Sequence, residues 1–101
     1  MTFRSRKLLD SARDQPCVQC GTRDGTTVGC HYTGVRRQEF GGGLGIKVSD
    51  FMLAHLCARC HREMDTWARC KDEKWEHSER FLALIARTWA RWLDQGVLEV
   101  K

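Results

Sequence analysis

The sequence predicts a small α+β fold that is braced by zinc and carries a long C-terminal helix. Two pairs of cysteines, each spaced Cys-x-x-Cys, predict a metal-binding scaffold. A β-branched run that leads from Thr26 to Tyr32 predicts a strand. Between Trp75 and Trp92, residues that can pack a core recur at alternating steps of three and four, which is one face of a helix.

Length and composition indicate one domain, residues 1–101. A chain of 101 residues with 42% hydrophobic residues is too short for two cores. No stretch approaches the roughly 20 apolar residues of a membrane span, and the basic segment Met1 to Asp10 lacks the apolar run of a signal peptide. We therefore expect a cytoplasmic protein with no membrane partner. In that compartment the six cysteines favour a metal over disulfides.

Residues 1–15 are predicted to be an N-terminal helix or arm. A short helix is expected within residues 3–13, because Leu8, Leu9 and Ala12 lie on one side of it. The proline that follows ends this segment just before the first cysteine pair.

Residues 16–71 are predicted to be the zinc-containing core. Gly21 follows the first cysteine pair and is free to take the positive φ that a tight turn of this kind needs. After the strand, residues 34–49 are rich in glycine and predict a loop. Residues 50–56 are apolar and ambiguous, and a helical segment is expected over residues 61–70.

Residues 72–101 are predicted to be a C-terminal helix that ends at Gly96, with a tail, Val97 to Val100, that suits a short strand. Packing of the periodic face onto the zinc core is the favoured interpretation, because a small domain needs that burial. A homodimer seam or a docking face for a partner protein is the alternative. The periodic face consists of Trp75, Ser78, Leu82, Ile85, Trp89 and Trp92.

The strongest signal is a structural zinc site. Each Cys-x-x-Cys turn supplies two thiolates, and two such turns complete a tetrahedral Zn²⁺ site. The segment between the pairs is longer than the roughly 15 to 20 residues of a plain four-cysteine module, so it must hold something more. The predicted ligands are Cys17, Cys20, Cys57 and Cys60.

A second site is predicted around His61 and Asp65, which lie one turn apart on one helix face. An imidazole and a carboxylate suit a divalent ion, Mg²⁺ or Mn²⁺, that acts on a phosphoryl oxygen. His31, at the end of the predicted strand, is the candidate base that activates water. The alternative is that His61 only hydrogen-bonds near the zinc and that Asp65 is a solvated helix residue.

The remaining thiols and imidazoles receive structural interpretations. Cys30 should face away from His31, because neighbouring residues on a strand point to opposite faces, and is expected to be a small buried residue, as is Cys70. His55 is expected to be packed or hydrogen-bonded, and His77 to lie on a solvated face.

Basic residues favour DNA as the partner. The positive excess of a chain with net charge +4 lies before Asp72, together with the cysteines. Such residues bind phosphates without reading sequence, so duplex or branched DNA with little sequence preference is the expected substrate. The candidate phosphate-binding residues are Arg36, Arg37, Lys47 and Arg62.

The order of these residues resembles the HNH nucleases of the ββα-metal, treble-clef-like type. The elements that carry the resemblance are a Cys-x-x-Cys pair, a strand-borne histidine, a glycine loop, an acidic residue before a short apolar run, and Leu-Cys-x-x-Cys-His. They correspond to Cys17 to Cys20, His31, Gly41 to Gly45, Asp50 and Leu56 to His61.

Within this type, the chain resembles two smaller groups of nucleases more closely. Nearly the whole chain resembles the YbcO-like nucleases encoded by phages and prophages, most specifically over Cys57 to Asp65 and in the ending Ala86 to Val97. The segment Gly42 to Lys47, followed by Asp50 and Phe51, is similar to the phage RecA-dependent nuclease Ref. The resemblance implies a role in phage or prophage DNA recombination or processing, with a recombination protein as a possible partner.

Carried over residue by residue, the resemblance implies a β-hairpin and a helix that hold one catalytic ion. His31 would be the general base, Asp50 would take the central Asn position, and His61 and Asp65 would hold or border the ion. The residue before the base is commonly an acidic or histidine metal ligand in HNH enzymes, and here it is Cys30. The alternative function is therefore a non-catalytic zinc module that binds DNA or a protein.

Overall fold

The computed structural model describes residues 2–101, and Met1, the first residue of the predicted arm, lies outside them. A two-stranded antiparallel sheet combines with three helices, so the predicted small α+β fold with a long C-terminal helix is confirmed. Single turns of 3-10 helix lie at Arg37–Phe40 and Lys71–Glu73. The elements are α1 (Arg6–Asp10), β1 (Val28–His31), β2 (Leu53–Leu56), α2 (Ala58–Trp67) and α3 (Lys74–Asp94).

The register of the hairpin decides which way the histidine and the cysteine of β1 point. Cys30 pairs with Ala54, and His31 pairs with Leu53. Adjacent residues of a strand face opposite sides, so Cys30 and His31 lie on different faces of the sheet. Cys30 is 3% exposed within the main core, and the prediction that it is a small buried residue facing away from His31 is confirmed.

The two faces of the hairpin are covered by two apolar clusters. The main core joins one face of the sheet to α2 and α3 and includes Leu56, Met64 and Ile85. A smaller cluster on the other face joins Leu8 of α1, Leu53 of β2 and Trp92 of α3. The sheet is therefore enclosed between helices, and α3 contributes to both clusters.

Both ends of the chain differ from the sequence expectation. The first helix is shorter than predicted, because Ser5 caps it through a 3.3 Å bond from the Leu8 amide, and the chain turns after Asp10. The tail forms no strand within the described residues. Instead, Val97 and Leu98 pack against the smaller apolar cluster.

The buried face of α3 is rotated from the predicted one. Trp75 and Trp89 are 57% and 39% exposed, whereas His77 is 2% exposed, so the prediction of a solvated His77 is wrong. Its ring lies edge-on between Trp67 and Phe81, at centroid distances of 5.5 and 5.7 Å. Other polar residues of the buried face form hydrogen bonds that the apolar pattern does not reveal, whereas His77 Nε2 has no hydrogen-bond partner within residues 2–101. None of the helices in residues 2–101, α3 included, has the length and apolar character needed to cross a membrane.

Candidate functional site

The two cysteine pairs converge on one point. The Sγ atoms of Cys17, Cys20, Cys57 and Cys60 all lie within 4.8 Å of one another. Cys20 Sγ and Cys57 Sγ are 3.8 Å apart, and a tetrahedral zinc site with Zn–S bonds of about 2.3 Å places its sulfurs about 3.8 Å apart. All six cysteines are free, so no disulfide competes for these thiols. The group can hold a metal ion, and its all-sulfur donor set fits zinc.

Turns and hydrogen bonds of the local backbone position these four thiols. At the first pair, Gly21 takes the expected positive φ of +81°, its amide donates to the Cys17 carbonyl at 2.9 Å, and the Gln19 amide lies 3.4 Å from Cys17 Sγ. At the second pair, Cys57 is the N-cap of α2, so its partner Cys60 lies within the first helical turn. A Val18 amide bond to the His55 carbonyl, 2.9 Å long, holds the first turn against β2.

The thiols of the cysteine cluster differ in pKa. Hydrogen bonds from Thr22 lower the pKa of Cys20 to about 6. Burial and the neighbouring thiols raise the pKa of Cys60 instead. The Arg59 guanidinium lies against Cys60 and Cys20, and these contacts raise the pKa of Arg59. A bound divalent ion would leave four thiolates with a net negative charge, which Arg59 partly offsets.

His31 and Asp50 form a hydrogen-bonded dyad. His31 Nε2 lies 2.8 Å from Asp50 Oδ1, although the two residues are far apart in sequence. The side chains are 15% and 2% exposed. An ionised carboxylate can only accept hydrogen bonds, so Nε2 is the donor, and in the neutral form of the imidazole Nδ1 carries the lone pair. The structure thus brings His31, the candidate base, and Asp50 together.

The N-terminal arm holds the Asp50 carboxylate. Arg4 Nη1 donates to Oδ1 at 3.0 Å, and the Ser5 amide donates to Oδ2 at 2.8 Å. Burial opposes ionisation of Asp50, but the hydrogen bonds from His31, Ser5 and Arg4 outweigh it and lower the pKa of this carboxyl. Sequence reasoning missed Arg4, because no local pattern links a residue of the arm to a carboxylate beyond the glycine loop.

A cleft opens beside His31, and two predicted phosphate-binding residues line it. This His31 cleft has a volume of about 480 Å³ and is lined by His31, Thr33, Arg37 and Lys47 together with the glycine-loop turn. In that turn Gly43 and Ile46 exchange backbone hydrogen bonds of 3.0 and 3.1 Å, which leaves Leu44 fully exposed at the tip. An imidazole and two basic residues therefore line one cavity large enough for a phosphate group, beside apolar side chains such as Ile46 and Val48.

His61 and Asp65 pair as predicted on one face of α2. His61 Nε2 lies 3.3 Å from Asp65 Oδ2, and the side chains are 42% and 53% exposed. Within residues 2–101, no third His, Cys, Asp or Glu side chain joins them at ligand distance, since the cysteine cluster is the one group of three or more. The structure therefore shows a hydrogen-bonded pair on the surface of α2 and no group of three ligands around it within the described residues.

The other residues singled out in the sequence lie outside these centres. Arg62 is exposed on α2, and Arg36 lies 5.8 Å from the ring centroid of Trp75. His55 is fully buried and bonded to Ser11 and Arg91, as expected for a structural histidine. Burial and the charge of Arg91 lower the pKa of His55 to about 4. Cys70 is only partly buried.

The comparisons with known proteins add no relative. No protein family, no curated protein and no solved structure matches the chain.

Proposed function

We propose that the protein is a DNA phosphodiesterase of the HNH type, with a zinc-braced scaffold and His31 as general base. One observation carries the proposal: the His31–Asp50 dyad borders a cleft that Arg37 and Lys47 also line. A base fixed by a buried carboxylate and placed beside cations is the arrangement that phosphodiester hydrolysis needs. The order of the HNH-like residues along the chain adds support.

Zinc at the four cysteines is the proposed scaffold ion. Thiolates spaced for a tetrahedron match zinc better than they match Mg²⁺ or Ca²⁺, which prefer oxygen ligands. Structural zinc in such sites contributes on the order of 10 kcal/mol of apparent folding free energy at neutral pH. The ion would connect the turn of the first cysteine pair to the start of α2 and so fix the position of the hairpin that carries His31.

The chain's own residues account for the proton transfer. His31 Nδ1 accepts the proton of the attacking water, and the Asp50 carboxylate stabilises the imidazolium that forms. Arg37 and Lys47 bind the non-bridging oxygens of the scissile phosphate and offset the charge that develops there. Because these contacts address the backbone and not the base edges, cleavage would have little sequence preference.

The catalytic ion, Mg²⁺ or Mn²⁺, is assigned to His61 and Asp65. Such an ion, when bound, would neutralise phosphate charge and stabilise the leaving oxygen. Neither residue lines the His31 cleft, so this part of the proposal rests on the HNH resemblance and not on the cleft geometry. Cys30 takes the position before the base, but burial and the nearby charge of Asp65 raise the pKa of its thiol to about 12. A neutral thiol is a poor ligand for a hard ion, so Cys30 is not part of the proposed ion site.

The test is cleavage of plasmid and branched DNA by zinc-loaded protein with Mg²⁺ or Mn²⁺. The His31→Ala variant should lose about 10²- to 10⁴-fold in rate, as expected for removal of a general base. Asp65→Ala should raise the Mg²⁺ concentration needed for activity, and Arg37→Ala should weaken DNA binding more than the matched variant Arg13→Ala. Parent protein that cuts no DNA with any added metal, or a fully active His31→Ala variant, would exclude the proposal.

A non-catalytic zinc module that binds DNA or a recombination protein is the second candidate. The observation in its favour is that His61 and Asp65 have no third ligand within residues 2–101 and are largely open to solvent. Under this alternative, DNA binds in a salt-dependent manner, His31→Ala binds as well as the parent, and neither protein cleaves.

A further inference from the structure

Trp75 is the most exposed tryptophan of the chain, and positive side chains surround it. The indole is 57% exposed in the first turn of α3, whereas Trp92 is fully buried. Arg36 Cζ and Lys74 Nζ lie 5.8 and 5.9 Å from its ring centroid. Within residues 2–101 the Arg36 guanidinium has one other partner, an exposed ion pair with Glu39 at 3.6 Å, and such exposed pairs contribute little.

A second cleft lies between Trp75 and the His31 cleft. This Lys71 cleft has a volume of about 190 Å³, and its lining includes Thr33, Arg37, Lys71 and Lys74 but no carboxylate. It shares Thr33 and Arg37 with the His31 cleft. Three cations around a small opening, without an acidic side chain, suit one phosphate group.

A third depression continues the path to the indole. This Trp75 groove, about 230 Å³, is lined by Trp75, Arg36, Leu82 and one carboxylate, Glu79, and it shares Val35 with the Lys71 cleft. The three depressions thus follow one another along the loop of residues 33–37. Tyr32 fixes that loop, because its hydroxyl accepts a 3.0 Å bond from the Arg36 amide and is bonded to Ser78.

We propose that a single strand of DNA, flanking the scissile phosphate, lies along this path, with a phosphate in the Lys71 cleft and a base stacked on Trp75. A base can present its face to an indole only when it is unstacked from its neighbours, so the ligand is an unpaired strand and not a duplex. Alternating cations and an aromatic platform are the features by which proteins bind single strands without reading sequence. This inference rests on the proposed function, to which it adds DNA with an unpaired strand beside the cleavage site as the substrate class.

The experiment measures binding of a fluorescent oligothymidylate of about 15 nucleotides and of a duplex of equal length by anisotropy, without divalent metal, in the His31→Ala background. Trp75→Ala should weaken oligothymidylate binding by about 5- to 140-fold, the loss expected for one stacked base, and should leave duplex affinity unchanged. Trp75→Phe should retain most of the affinity. Trp89→Ala, about 21 Å further along α3, is the matched control and should have no effect.

Salt dependence tests the phosphate contact separately. Lys71→Ala should reduce the slope of log affinity against log salt by about 0.7, the value for one phosphate contact to a single strand, and Lys7→Ala should not. Glu79→Gln should tighten oligothymidylate binding. Unchanged oligothymidylate binding in Trp75→Ala, or an equal loss for the duplex, overturns the inference and would leave Trp75 as a surface for a protein partner. Because no cleavage is measured, a failure of the proposed nuclease activity would not produce either result.

Discussion

Replacing Asp50 with asparagine should lower the free energy of unfolding by about 2 to 3 kcal/mol. Three donors, His31 Nε2, Arg4 Nη1 and the Ser5 amide, converge on the two carboxylate oxygens at 2.8 to 3.0 Å. Asparagine offers one oxygen and an NH₂ group, so at least one donor then faces another donor. The charge that strengthens all three bonds is also lost.

The magnitude follows from the individual bonds. Hydrogen bonds to a charged group contribute about 1.5 to 3 kcal/mol each and neutral ones about 0.5 to 1.5, so each bond weakens by about 1 kcal/mol. The bond from Arg4 counts for less, because its side chain is 48% exposed. The arm should also detach more often, which is visible as faster amide hydrogen exchange of Ser5.

Urea unfolding of the parent and of Asp50→Asn measures the difference, and pH gives a second readout. The folded-state pKa of Asp50 lies below that of the unfolded chain, so its stabilising effect is present above about pH 4 and is lost as pH falls below that value. The two unfolding free energies should therefore converge in acid. Asp10→Asn is the control, since within residues 2–101 the Asp10 carboxylate forms only an exposed 3.5 Å pair with Arg13. Equal stability of Asp50→Asn and Asp10→Asn at neutral pH would refute the reasoning.

Three further outcomes test other parts of the structure. A strong chelator should unfold the protein, and returning Zn²⁺ should restore its far-UV circular dichroism; a fold that resists chelation would contradict a structural role for the metal. Lowering the pH from about 6.5 to 4 should reduce the free energy of unfolding by about 2 to 3 kcal/mol. The reason is that burial and Arg91 lower the pKa of His55 to about 4, so that over most of this range only the unfolded chain binds the proton. An unfolding free energy that does not change over this pH range would contradict the prediction. Gly34→Ala should cost about 1 to 3 kcal/mol in urea, because a Cβ there would lie 2.5 Å from the Tyr32 ring, whereas Gly43→Ala, with open space around its Cβ, should be neutral.

The cysteine cluster could be predicted from the sequence because its signal is local and redundant. Each pair carries its own spacing, and Gly21 takes the φ that the first turn requires. Strand β1 could also be predicted, since β-branched residues precede Cys30 and the alternation of faces follows from strand geometry. Within the ambiguous segment 50–56, only Leu53–Leu56 form β2, because pairing with β1 supplies partners for their backbone groups.

The buried face of α3 shows why the packing between distant parts of the chain could not be predicted from the sequence. A pattern of apolar residues favours Trp75 and Trp89 as core positions, yet the helix leaves both partly exposed and buries His77 and Thr88 in addition to the predicted Ser78. The Ser78 hydroxyl bonds to Tyr32, and the Thr88 hydroxyl accepts the His55 amide at 3.1 Å. Such bonds depend on residues distant in the chain, so no periodicity within the helix reveals them. The contact between Arg4 and Asp50 could not be predicted for the same reason, because the two residues are far apart in the chain.

The links between the two ends of the chain determine when folding can finish during synthesis. Trp92 Nε1 donates to Ser11 Oγ at 2.7 Å across 81 residues, and Arg91 Nη1 donates to the Pro16 carbonyl at 2.8 Å across 75 residues. At about 5 to 20 residues per second, a ribosome needs roughly 4 to 15 seconds to make that intervening chain. Cys57 follows Cys20 by 37 residues, so the thiols of Cys17 and Cys20 wait roughly 2 to 7 seconds of this interval for their partner pair. A nascent chain that meets an oxidant or a competing metal at this stage would be trapped, so timely zinc delivery should govern the yield of folded protein.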